Sequence, residues 1–194
     1  MLELINNFDG NLFLFFNRDI ANPFFDLIFP FITELKFWVI PGIIAIAIFI
    51  KLEHKKALLV LGLAVIAVLL SDSIAYRILK PLFGRIRPCN PSALIEGGRF
   101  LLGYNTSYAF PSNHASNMFA LATLFTCFYR KRTAYFFGFA AIIGFSRIYV
   151  GVHYPIDVVG GAVLGVIIGW GVYEGYIFTI RIRHKFQPTD KKAR

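Results

Sequence analysis

Residues 57–88 read ALLVLGLAVIAVLLSDSIAYRILKPLFGRIRP. From Ala57 to about Leu79 the run is overwhelmingly apolar, and at about 1.5 Å per helical residue it can cross the roughly 30 Å of a bilayer's hydrocarbon. It then stops in a group of cations, Lys80, Arg85 and Arg87, set around the helix breakers Pro81 and Gly84. A long apolar helix that ends in clustered positive charge is thus the unit to seek in the rest of the chain.

The rest of the chain repeats it. Four further apolar runs extend from Phe37 to Ile50, from Ala115 to Tyr129, from Ala134 to about Val150 and from Ile156 to Ile180. With 57% apolar residues in 194, the composition lies far outside that of soluble domains. The fold expected is all-α: an integral membrane bundle of five to six transmembrane helices in a single domain, 1–194. Residues 1–36 form its N-terminal helices, 37–180 its transmembrane core and 181–194 a basic tail. A formal charge of +9 suits anionic lipid. Nucleic acid is not expected as a partner, because the cations are divided among short loops and one tail rather than gathered in a stripe.

Orientation follows from the Lys/Arg bias of the connections. Lys51, Lys55 and Lys56, then Arg130, Lys131 and Arg132, then Arg181, Arg183, Lys185, Lys191, Lys192 and Arg194 all fall on one side if the spans alternate. That side should be the cytoplasm, with the C-terminus on it. Arg18, Lys36, Arg77, Lys80, Arg85, Arg87, Arg99 and Arg147 fall at or near the opposite face. Their presence there runs against the positive-inside bias and calls for a functional cause.

At the N-terminus, Leu2, Ile5, Phe8, Leu12 and Phe15 or Phe16 recur at helical spacing against Asn6, Asn7, Asp9 and Asn17, the pattern of an interfacial helix. The first charge is Glu3 and the first cation Arg18, so a cleaved signal peptide is not expected. Pro23–Thr33 is apolar but about half a span long, either half of a broken helix with 37–50 or a segment that dips into the bilayer. Cys89 lies in the outer loop and Cys127 near the far end of its span. About 20 Å of helix separates Cys127 from His114, so a disulfide is not expected. No ligand-spaced cluster supports a metal site.

Three blocks of polar residues carry the chemistry. Lys80 and Arg87 flank the exit of the second span; a planar guanidinium binds phosphate oxygens in a bidentate fork and an ammonium supplies a point charge. The plainer role for such cations is to anchor a span at the headgroups. Pro111-Ser112-Asn113-His114 opens the next span, with Ser112 as its N-cap, so unpaired backbone amides would face an anion. There His114 could pass a proton, or simply rest at the interface. Ser146-Arg147 and a bend at Gly151 precede His153-Tyr154-Pro155-Ile156-Asp157. Pro155 suits the first position of a helix, which puts Asp157 in its opening turn, able to reach back to His153. A carboxylate on one ring nitrogen fixes the tautomer and leaves the other free to attack.

Lys80-x6-Arg87-Pro88, Pro111-Ser112-x-His114 and Ser146-Arg147-x5-His153-x3-Asp157 resemble, in order and spacing, the tripartite signature of the type 2 phosphatidic acid phosphatase superfamily, in its bacterial membrane form. Asn113 departs from the family's usual Gly or Asp. The resemblance implies a lipid phosphatase without metal or other cofactor. His153 would attack phosphorus to give a phosphohistidine, Asp157 orient it and His114 protonate the leaving oxygen. Lys80, Arg87, Arg147 and the amides near Ser112 and Asn113 would hold the phosphoryl group. Arg85, Arg77 and Asp72 would be neighbours of the site, and residues 89–110 a cap or headgroup-selecting loop. Lipid A 1-phosphate, phosphatidylglycerol phosphate and undecaprenyl diphosphate are the substrate classes implied. The place implied is a bacterial inner membrane with the site on the periplasmic face.

Three other activities use similar parts. A phosphotransferase would pass the same phosphoryl group to an acceptor other than water. A vanadate-dependent haloperoxidase has a related anion pocket, but those enzymes lack membrane spans. A transporter would place its polar residues near mid-bilayer, whereas here, apart from Asp72 with Ser71 and Ser73, they collect at span ends.

Overall fold

A computed structural model describes residues 2–186, apart from the side chains of 2–6, 184 and 186. The expected roles of Leu2, Ile5 and Asn6 in the first helix, and of Lys191, Lys192 and Arg194 in the tail, lie outside what it describes. The described chain is helical with no strand. In order it runs α1 (Leu2–Leu14), α2 (Pro23–Thr33), α3 (Leu35–Glu53), α4 (Lys55–Ser73), α5 (Lys80–Phe83), α6 (Asn113–Phe128), α7 (Thr133–Tyr149) and α8 (Pro155–Phe186). A widened π-helical turn extends α1 over Phe15–Asp19, and a second joins α4 to α5 over Ile74–Leu79. The all-helical membrane fold expected from the sequence is the fold observed.

Among the described residues three stretches are long and apolar enough to cross a membrane: Leu35–Glu53, Lys55–Phe83 and Pro155–Arg183. The first is longer than the run expected over 37–50. α6 and α7, at 16 and 17 residues, reach about 24–26 Å. α2 is separate from α3, the two being divided by Glu34 in extended backbone.

Packing follows membrane rules, with small residues between helices and large apolar ones outside. On α4 the buried positions are Ala57, Val60, Ala64, Ala67 and Ser71, a single stripe at three- and four-residue steps. Leu58, Val65, Ile66 and Leu69 on its other faces are exposed, as lipid contact demands. α8 lies tightly on α6 through Gly161, Gly165 and Gly169. A Cβ at these positions would run into the backbone carbonyls of Ser112, Ser116 and Ala120 respectively. These glycines let α8 approach α6 closely enough to bring Asp157, one turn before Gly161, against the start of α6: Ser112 N–H donates to the Asp157 carbonyl at 2.9 Å.

Chain order then gathers the chemistry. The end of α5, the start of α6, the end of α7 and the start of α8 meet at one end of the bundle. The basic turns at Lys55–Lys56 and Arg130–Arg132 lie at the other ends of the same helices.

α1 departs from its expected pose. Phe8 and Phe15 are exposed, as an interfacial helix requires, but Asp9 and Asn17 are buried rather than facing water. They form one inward stripe with Phe13. Asn17 donates to the carbonyls of Arg99 and Tyr149, both at 2.7 Å, and accepts from Arg99 N–H at 2.6 Å. Tertiary partners thus override the amphipathic pattern. The loop 84–112 is tied down at the same point, with Leu101 N–H donating to Val150 C=O at 3.1 Å. Gly151, at φ +89°, has no room for a Cβ beside the Arg99 carbonyl. Only a glycine gives this turn, which delivers His153.

Candidate active site

His153 sits at the centre, 1% exposed, in the link between α7 and α8. Arg87 Nη1 donates to its Nε2 at 3.0 Å. A guanidinium offers no acceptor, so this nitrogen is unprotonated. The proton therefore resides on Nδ1, which faces Asp157 Oδ2 at 3.4 Å. Asp157, fully buried, is itself fixed: Oδ2 accepts from Tyr154 N–H at 2.9 Å and Oδ1 from Arg85 at 2.7 Å. Burial pushes the His153 ring well below the usual imidazole range, and the positive charges of Arg87, Arg147 and Lys80 press the same way. The ring is a neutral, oriented base whose Nε2 lone pair accepts from Arg87 among further cations.

Those cations come from separate elements. The last turn of the α4–α5 run presents Lys80, 4% exposed, whose Nζ donates to Tyr108 C=O at 2.6 Å. Beyond the left-handed turn at Gly84, the loop presents Arg87, held by Ser107 C=O at 3.0 Å and Val152 C=O at 2.9 Å. The last turn of α7 presents Arg147, 8% exposed. Its Nη1 donates to Thr33 Oγ1 at 2.6 Å, while its Nε is buried without a partner. An arginine clamped at one nitrogen and unsatisfied at another is arranged to receive an oxygen.

The second block differs in detail from expectation. Ser112 occupies the N-cap position of α6, but its hydroxyl caps nothing; Oγ is buried and unpaired, and its amide is committed to Asp157. The amides that the helix start leaves for an anion belong to Asn113, His114 and Ala115. His114 is exposed and makes no side-chain hydrogen bond within the described residues. The Asn113 side chain turns away and donates to Asp72 at 2.7 Å.

The structure therefore brings Lys80, Arg87, Arg147, His153, Asp157, Ser112, Asn113 and His114 to one end of the bundle. Arg77 is exposed, and Ser146 turns back to Ile143 C=O. Residues without a sequence signal are Thr33, which holds Arg147, and Asp9, which shares Arg85 with Asp157. Arg85, expected as a neighbour of the site, lies directly behind Asp157. It ion-pairs with both carboxylates and lies over the Tyr154 ring at 4.5 Å. Both cysteines are free. Among the described residues no group of three His, Cys, Asp or Glu side chains is placed to hold a metal ion.

Fold and site together define a class: a helical integral membrane protein with an oriented, buried histidine among cations at the span ends. The PAP2 superfamily model matches residues 57–181, which contain all three blocks. The lipid A 4'-phosphatase of Bacteroides thetaiotaomicron is 34% identical over 178 residues, 89% of this chain and 79% of that protein. Its counterpart of the same name in Porphyromonas gingivalis is 32% identical over 181 residues, 91% and 76% of the two chains. Among solved structures, that of Aquifex aeolicus LpxE superposes with a TM-score of 0.66 at 28% identity, over 84% of this chain and 93% of that one. The chain belongs to the PAP2 superfamily.

Proposed function

We propose that the protein removes a phosphate from a lipid headgroup, a monoester or a diphosphate, through a phosphohistidine on His153. The observation that carries this is the placement of His153 between Arg87 and Asp157: an unprotonated Nε2 among cations and a protonated Nδ1 on a buried carboxylate. Arg87 now covers the lone pair. As the phosphoryl group arrives, its guanidinium shifts from nitrogen to phosphoryl oxygen, and Lys80, Arg147 and the first amides of α6 take the remaining oxygens. Nε2 forms the bond to phosphorus as the bond to the lipid oxygen breaks, and His114, which takes up a proton from solvent once the bound phosphate anion offsets the charges of Arg147 and Arg87, gives that oxygen its proton. His114 then takes a proton from water, which attacks phosphorus, and inorganic phosphate leaves with His153 restored. Three cations supply the charge stabilisation that a metal gives other phosphoryl-transfer enzymes, so no metal is required.

A site at the ends of membrane helices is reached most directly by a molecule whose tails stay in the bilayer. The two relatives that match most of the chain are named for the 4'-phosphate of lipid A, so a phosphorylated lipid A is the first substrate to test. The basic turns and α8 end then face the cytoplasm and the site faces outward, by the positive-inside rule. The test is phosphate release by the purified protein from lipid A, phosphatidylglycerol phosphate and undecaprenyl diphosphate, with His153→Ala as the blank. Release from at least one lipid, absent in the variant, supports the assignment; equal release by both refutes it.

A further inference from the structure

Behind the catalytic pair, on the side away from Nε2, three parts of the chain meet at Arg85. One of its terminal nitrogens donates to Asp157 Oδ1 at 2.7 Å and the other pairs with Asp9 Oδ2. Asp9 belongs to α1, far outside the three signature blocks, and its side chain is fully buried. Its second oxygen, Oδ1, accepts the Ile156 N–H at 3.0 Å. Ile156 lies in the first turn of α8, so Asp9 caps in trans the helix that carries Asp157. The Tyr154 ring covers the Arg85 guanidinium, and Phe13 of α1 packs on that ring, centroids 5.4 Å apart. α1 thus holds Asp157 twice, through the backbone of its helix and through the arginine on its carboxylate.

We propose that Asp9 is a positioning residue for the phosphatase reaction: by tethering Arg85 and the start of α8, α1 sets the Asp157 carboxylate against Nδ1 of His153, and the histidine attacks efficiently only while α1 is seated. This rests on the phosphohistidine mechanism above. A carboxylate with three donors on it has one orientation in which Oδ2 still faces Nδ1. Without Asp9, Arg85 is free to swing with exposed solvent on one side, and Asp157 follows it. A misplacement of about 1 Å in such a group costs on the order of 100-fold in rate.

The test uses the full chain in lipid nanodiscs with labelled lipid A, reading steady-state phosphate release and the single-turnover formation of phosphohistidine. Asp9→Asn keeps an oxygen for the Ile156 N–H but removes the charge from Arg85. Its phosphorylation rate constant should fall about 10- to 100-fold, with KM within about twofold and the amplitude of labelled enzyme unchanged. Asp9→Glu should recover part of the rate, and Arg85→Lys should lose it. A merely structural Asp9 would instead lower the amplitude and leave the rate constant of the remaining enzyme intact, which overturns the proposal. So does a wild-type rate in both Asp9→Asn and Arg85→Lys while His153→Ala stays inert. Phosphate release by His153→Ala, or none by the unaltered protein, would remove the mechanism itself and the proposal with it.

Discussion

Arg87 Nη1 and His153 Nε2 lie 3.0 Å apart, so the side chain proposed to bind the phosphoryl group also covers the nitrogen proposed to attack it. The same guanidinium reaches Val152 C=O and Ser107, a planar fork that an ammonium cannot reproduce. Arg87→Lys should lower kcat/KM by about 100-fold or more, in line with the loss of one charge-stabilising donor. Circular dichroism should show the helices unchanged. Activity within a few-fold of the unaltered protein would show that the fork is dispensable.

Thr33 lies at the end of α2 and its hydroxyl accepts from Arg147 Nη1 at 2.6 Å. Thr33→Val keeps the volume and removes the acceptor, leaving a second donor of a buried arginine unpaired. The net worth of such a bond, about 1–2 kcal/mol, predicts a loss of about 5- to 30-fold in kcat/KM. Thr33→Ser should stay within about twofold. Steady-state kinetics on the three proteins decides it, and parity of the valine variant would detach α2 from the site.

His153 is kept neutral first by burial and then by the charges of Arg87, Arg147 and Lys80. Because its folded-state value is depressed, the ring remains unprotonated as pH falls through the ordinary imidazole range near 6.5. Carbon-13 histidine NMR of the protein should show the His153 resonance, assigned by its loss in His153→Ala, with no inflection between pH 7.5 and about 5.5. A titration midpoint near 6.5 would mean that the ring is solvated and loosely held.

Gly165 and Gly171 lie on the same helix and make opposite predictions. A Cβ at Gly165 would strike the Ser116 carbonyl, whereas nothing lies within 4 Å of one at Gly171. Gly165→Val should destabilise the bundle by about 1–3 kcal/mol, as overpacking does, and separate α8 from α6. Gly171→Val should change stability by less than about 0.5 kcal/mol. Thermal unfolding in detergent distinguishes them.

What the sequence discloses is whatever repeats or keeps fixed local spacing. The apolar runs gave the helices, and the breaks at Pro81–Gly84, Pro111 and Gly151 gave the ends at which Lys80, Arg87, His114, Arg147, His153 and Asp157 gather. Asp9 and Thr33 were hidden, and the partners of Arg85 with them, because their roles are relations between distant segments. Asp9 meets Ile156 across nearly the whole chain, and no periodicity encodes that. Asp9 and Asn17 even mimic the polar face of a surface helix, since a buried carboxylate and a solvated one look alike until the partners are known. Ser112 shows the converse: the residue type suits a helix cap, yet its hydroxyl is left free beside the site.

The covalent step offers the most direct test. Protein quenched in alkali during turnover of phosphorus-labelled lipid should carry an acid-labile, base-stable phosphoryl group, and peptide mapping should place it on His153. Label on His114 or on a hydroxyl, or rapid turnover with no labelled protein at any quench time, would contradict the account.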